Sequence, residues 1–119
     1  MKTFHHRGYD ILLGETAKEN WELFDTSNPD DIWLHLKRFP SGHAFVKVSA
    51  NIAEKCECCS TSDLEEALTL AAMECKNHTK YRNMQNLKVL YYPVGKLNKG
   101  SKVGEIITPR RTKGCELTV

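Results

Sequence analysis

Residues Asp31–Val48, DIWLHLKRFPSGHAFVKV, alternate between two kinds of side chain with a period of two. Successive side chains of a strand point to opposite faces, so this alternation describes a ribbon with two unlike sides. Ile32, Leu34 and Leu36 point one way, and Asp31, Trp33, His35 and Lys37 the other. Phe39-Pro40-Ser41-Gly42 turns the chain. Beyond the turn, Ala44, Val46 and Val48 continue the aliphatic side, while His43, Phe45 and Lys47 continue the aromatic and basic one. An antiparallel hairpin is the simplest structure with this pattern. Its aliphatic side requires a cover.

The cover follows in the chain. Ser62-x-x-Glu65 is a capping box, in which the hydroxyl accepts from the Glu65 N–H and the carboxylate reaches back. Leu64, Ala67, Leu68, Ala71, Ala72 and Cys75 then recur on one helical stripe. That spacing predicts a helix over about 63–77, with Asn77 as its stop. Ahead of the ribbon, Thr3–His6 and Tyr9–Leu13 read as short strands around Arg7-Gly8. Ala17–Phe24 reads as a short helical segment anchored by Trp21 and Phe24, with a turn at Ser27–Asp30. After the main helix, Leu87–Tyr92 reads as a strand stopped at Pro93, and Glu105–Thr108 with Cys115–Val119 as a closing hairpin. The expected architecture is a single α+β domain over 1–119, a mostly antiparallel sheet with one main helix packed on it. A chain of this length buries roughly two-thirds of its unfolded surface and can build a real core.

No apolar run reaches the ~20 residues of a membrane span, and the opening MKTFHHRGYD holds no apolar signal segment. Five cysteines, three of them within Cys56-Glu57-Cys58-Cys59, are an odd and crowded set, unlike a secreted disulfide framework. The expectation is a reducing, cytoplasmic location without membrane association.

Charge divides the chain. Residues 1–75 hold 7 Lys/Arg against 13 Asp/Glu, a net of −6, whereas residues 76–119 hold 10 against 2, a net of +8. Clustered cations of this kind most often serve phosphates, unless they merely form a solvated face. Two turn-like segments carry the excess: Lys96, Lys99 and Lys102 in KLNKGSK, and Arg110, Arg111 and Lys113 in RRTK. On the ribbon, Lys37, Arg38 and Lys47 are further phosphate candidates, with Trp33 and Phe45 as platforms for unpaired bases. A second reading of the two aromatics places them under Trp21 and the first helical segment, as a small second core. An exposed Trp33–Phe45 patch would equally suit a protein partner, which makes an interaction adaptor the alternative function.

Other chemistry is sparser. Asp31, His35 and His43 are the residue types of an open metal site or an acid–base pair, and a metal-dependent hydrolase would use them so. The same residues also serve as hydrogen-bond partners that fix the turn. Cys56-x-x-Cys59 and Cys75-x-x-His78 have zinc-ligand spacing, although Cys75 stands on the apolar helical stripe. Nucleophile elbows and phosphate loops are absent from the sequence, so neither an enzyme nor a cofactor is expected.

Gly14 and Asn20, then Asp31-Ile32-Trp33-Leu34-His35, then Ser41-Gly42-His43 with its alternating strand, resemble the NFACT-R domain. The order continues through Val89-Leu90-Tyr91, Lys96–Lys102 and Gly104-Glu105-Ile106-Ile107, so the resemblance covers nearly the whole chain. That family is the RNA-binding part of the NFACT proteins of ribosome quality control, and also occurs in standalone proteins of the coiled-coil-domain NFACT-R type. The present chain lacks the charged helical extension of those longer members, and its connection 50–62 with the cysteine cluster departs from their pattern. The resemblance implies a non-catalytic domain that binds tRNA or ribosomal RNA, in the company of ribosome-associated proteins. It points to Asp31, Trp33, His35 and His43 as functional positions. DNA stays open as a partner, because backbone electrostatics barely separate the two polymers.

Overall fold

The structure, a computed structural model, describes residues 1–6, 8–37, 41–47, 61–108 and 115–119, without the side chains of 61–63 and Cys115. Strand β1 (Lys2–His6) and β2 (Tyr9–Gly14) form a hairpin around Gly8, whose φ of 86° is the left-handed turn conformation that glycine adopts at little cost. Helix α1 (Ala17–Thr26) follows directly. Thr16 caps it, its Oγ1 accepting from the Glu19 N–H at 3.1 Å, while the Glu19 carboxylate accepts from the Glu15 N–H at 3.0 Å. Strands β3 (Ile32–Leu36) and β4 (His43–Lys47) pair antiparallel with Trp33 opposite Phe45, the register that the alternation predicts.

Helix α2 (Thr61–Asn77) begins two residues before the expected start. β5 (Lys88–Pro93) leads into a single 3₁₀ turn at Val94–Lys96. The last strands are β6 (Asn98–Lys99), β7 (Ile106–Ile107) and β8 (Cys115–Thr118). Six strands make one sheet in the order β1-β2-β4-β3-β5-β8, antiparallel at every step, and β6 and β7 form a small second sheet. The fold is α+β. The expected closing hairpin is corrected: β7 pairs with β6, while β8 adds to the main sheet beside β5. Two-residue strands have no alternation for a sequence to display, and the tertiary edge of β5 decides where β8 goes.

The sheet is covered on both faces. One face packs Ile11, Leu13, Leu34, Leu36, Ala44, Val46 and Val89 against Ala67, Leu68, Ala71, Ala72 and Cys75 of α2, the stripe that the spacing predicts. Three alanines on that stripe let the helix approach the sheet closely. The other face packs Trp33, Phe45 and Tyr92 under Leu23 of α1 and under Val94, Leu97 and Ile106 of the segment that follows β5. Each large apolar side chain so buried stabilises the fold by about 1.5–3 kcal/mol. No helix among the described residues is long and apolar enough to cross a membrane.

Candidate functional site

The ribbon's second face forms rows across the sheet. The registers place Lys47 beside Asp31, Phe45 beside Trp33 and Tyr92, and His43 on the row of His35 and Leu90. Lys37 and Lys88 stand at the far end.

Trp33 is 3% exposed and Phe45 fully buried. Their expected role as base-stacking platforms, or as a docking patch for a protein, is therefore corrected. The second reading is the one the structure bears out, with α1 as the cover. Trp21 lies further out, its Nε1–H donating to the Glu105 carbonyl at 3.0 Å and its ring 4.8 Å beneath the Lys99 ammonium. The tail segment closes over the indole of Trp33 because Val94, Leu97 and Ile106 gain more from that aromatic row than from water.

The motif histidines are part of the same construction. Trp33 Nε1–H donates to His43 Nδ1 at 3.0 Å, which leaves the His43 proton on Nε2. His35 stacks on Trp33 with ring centroids 5.7 Å apart and meets His43 edge-on at 4.7 Å. Its Nδ1–H donates to the Leu36 carbonyl at 2.6 Å. Burial pushes the His43 imidazole down to about 3, the neighbouring His35 adding to the effect, and burial also lowers His35. Both rings are neutral at ordinary pH. Asn20 explains why glycine stands at position 14: its Oδ1 accepts from the His43 N–H at 3.4 Å, and a Cβ on Gly14 would run into that oxygen. Ser41 Oγ accepts from the Leu36 N–H at 3.2 Å, closing the ribbon's end.

Asp31 is wholly buried. Its Oδ2 accepts from the Asn28 N–H at 2.9 Å and lies 3.4 Å from Lys47 Nζ, which also donates to Ser27 Oγ at 2.9 Å. This ion pair ties the turn after α1 to the sheet, so both residues act as struts and the expected contact of Asp31 and Lys47 with RNA is corrected. Asp31 also stands four residues from His35 along the strand, about 13 Å at ~3.3 Å per residue. Asp31, His35 and His43 accordingly do not converge, and no group of three His, Cys, Asp or Glu able to hold a metal occurs among the described residues. The hydrolase reading loses its geometry. Of the zinc candidates, Cys56 and Cys59 lie outside the described residues. Cys75 is buried beneath α2 with its thiol pushed up to about 12 by burial, and His78 Nε2 meets Glu74 at 3.0 Å. Cys75 fills the core as a small hydrophobe.

The cations sort into two sets. Lys2, Lys18, Lys37, Lys47 and Lys99 face carboxylates: Glu15 at 3.7 Å, Glu22 at 3.9 Å, Glu116 at 2.6 Å, Asp31 at 3.4 Å and Asp25 at 2.7 Å. Lys76, Lys80, Arg82, Lys88, Lys96 and Lys102 face none among the described residues. Lys37 and Lys99 of the expected set are thus partly neutralised, Lys96 and Lys102 are exposed and uncompensated, and Arg38, Arg110, Arg111 and Lys113 lie outside the described residues. Lys76, Lys80 and Arg82 count in the basic excess of residues 76–119 but lie outside the two turn-like segments that carry the expected contacts. The signal for them was present: residues 75–104 contain no carboxylate at all. Gly104, at φ 88°, lies against Ala17, and Lys80 shares a shallow depression with Glu15, so the tips carrying Lys102 and Lys80 both flank the start of α1.

No protein-family model matches the chain. It is similar to coiled-coil domain-containing protein 25 of Mus musculus and of Bos taurus, each 28% identical over 105 residues, which cover 82% of this chain and 46% of the relative. The chain thus spans about half the length of the curated relatives it matches. Among solved structures, the C-terminal part of the fibronectin/fibrinogen-binding protein from Streptococcus suis resembles it with a TM-score of 0.76 and 22% identity, over 99% of this chain and 44% of that one. At that identity the likeness is one of fold, a mixed sheet-and-helix architecture reached by two distant sequences.

Proposed function

We propose that the chain is a non-catalytic RNA-binding domain of the NFACT-R kind, acting in the cytoplasm on tRNA or ribosomal RNA. The observation that supports this reading best is the carboxylate-free stretch 75–104, which presents Lys76, Lys80, Arg82, Lys88, Lys96 and Lys102 without acidic partners among the described residues. Uncompensated ammonium and guanidinium groups release counterions when they meet phosphates, and that release drives backbone binding. The motif Asp31, Trp33, His35 and His43 contributes by holding the ribbon and its cover in place rather than by touching the polymer.

Fluorescence anisotropy with a labelled, unstructured single-stranded RNA and with a tRNA, across a salt series, tests the proposal. Neutralising about five phosphates gives a slope of log affinity against log salt of roughly −3.5 on the single strand. A flat response, or no binding at low salt, overturns it. The matching DNA strand distinguishes contacts to the 2′-hydroxyl from pure backbone attraction.

A further inference from the structure

At the far end of the sheet, Lys37, the connection Met84–Leu87, Lys88 and Glu116 line a groove of about 410 Å³. This lies within the range of small-ligand sites, about 300–1,000 Å³. We propose that the groove seats one unpaired nucleotide of a bound RNA, a subsite that rests on the RNA-binding reading and gives it base preference.

The wall supplies what a nucleotide needs. Leu87 lines the groove, 4% exposed and fixed by paired backbone hydrogen bonds with Val119, both 2.9 Å. Met84, 43% exposed, offers a polarizable apolar surface to a base. Gln85 and Asn86 are exposed carboxamides, each with an acceptor and two donors, the groups that read base edges. Asn86 has a φ of 60°, left-handed backbone that asparagine tolerates, and Met84, Gln85 and Asn86 line the groove together.

Charge selects the form of the ligand. Lys37 Nζ is held by Glu116 at 2.6 Å, whereas Lys88 Nζ bonds the neutral Thr118 hydroxyl at 2.9 Å and faces no carboxylate among the described residues. One uncompensated ammonium beside one carboxylate suits the single charge of a phosphodiester and disfavours a free phosphate dianion. A nucleotide within a chain is a ligand that also uses the carboxamides and the apolar surface of Met84.

The test is a titration of the ¹⁵N-labelled protein with four single-base RNA trinucleotides and, separately, inorganic phosphate, following the side-chain amide resonances of Gln85 and Asn86. Saturable shifts with the trinucleotides, at least fivefold tighter for one base than for another, and no such shifts with phosphate are expected. Asn86→Gly keeps the left-handed backbone while removing the carboxamide. It should weaken the preferred trinucleotide at least fivefold and leave the salt slope on long RNA unchanged, with a dispersed spectrum confirming the fold. Unmoved Gln85 and Asn86 resonances while long RNA binds with its salt slope overturn the groove and spare the RNA reading. Equal shifts with inorganic phosphate overturn the groove as an anion site only. Failure of long RNA to bind at low salt removes the RNA reading itself, and the groove's role with it.

Discussion

Asp31 and Lys47 show how far a residue's type and its role diverge. An acid and a base on the aromatic side of a ribbon read as surface groups, yet one is wholly buried and the other mostly so. Removing one member of a fully buried ion pair costs about 3–5 kcal/mol. Lys47 retains some contact with water, so Lys47→Ala should cost about 2–3 kcal/mol in urea unfolding, and it should leave the salt slope of RNA binding unchanged. A slope lowered by one with stability intact would instead make Lys47 a phosphate contact. His43 gives a second measurement. The folded chain refuses a proton that the unfolded chain takes up near 6.5, so stability is complete above that pH and declines as pH falls toward about 3. His35 is lowered too and adds to the decline in the same direction. For His43 the loss approaches ~1.4 kcal/mol per pH unit. His43→Asn keeps an acceptor for the Trp33 N–H but cannot titrate, and should flatten the unfolding free energy between pH 6.5 and 3 relative to the parent.

At the scale of elements, the ribbon β3–β4 and the helix α2 were legible because each repeats its pattern over several residues. Alternation over Ile32–Leu36 and His43–Lys47 fixes which side chains share a face, and the alanine-rich stripe fixes which side of α2 meets them. The cap of α1 is equally present in the sequence, as Thr16-x-x-Glu19. What no local pattern carries is which element covers the aromatic face. Trp33 and Phe45 look the same in sequence whether they meet a base, a partner or the chain's own tail. Since α1 and the 94–108 segment seal them, Trp33→Ala should act through stability, by about 3–5 kcal/mol. RNA affinity measured where the variant is still folded should stay within twofold of the parent. Gly104→Ala probes the same cover from outside. A Cβ there would come within 2.7 Å of Ala17, on a backbone at φ 88°, so the substitution should destabilise, by more than the ~1 kcal/mol by which such a replacement stabilises an unstrained site.

For the whole molecule, the relevant quantity is how charge is paired, and a charge count hides it. The acidic first part and the basic last part of the chain fold together, and several cross-pairings cancel: Lys37 with Glu116, Lys99 with Asp25. On the proposed reading, the uncompensated remainder at Lys76, Lys80, Arg82, Lys88, Lys96 and Lys102 is what the chain offers a polyanion. The two sets should therefore behave differently in the salt series. Lys80→Ala and Lys102→Ala should each reduce the slope by about one. Lys18→Ala, which removes a cation already facing Glu22, should leave it unchanged. Equal effects from both sets would dissolve the distinction.

Sequence alone determined the strand alternation, the helical stripe and the excess of cations after residue 75, because each is a periodicity or a composition and needs no knowledge of neighbours. Tertiary structure decided that Trp33 is sealed, that Asp31 and Lys47 are struts, that His35 and His43 are neutral and that some lysines are cancelled while others are not. Burial and pairing depend on residues far apart in the chain, such as Trp33 with Leu97 or Lys37 with Glu116, and only the folded path brings those together.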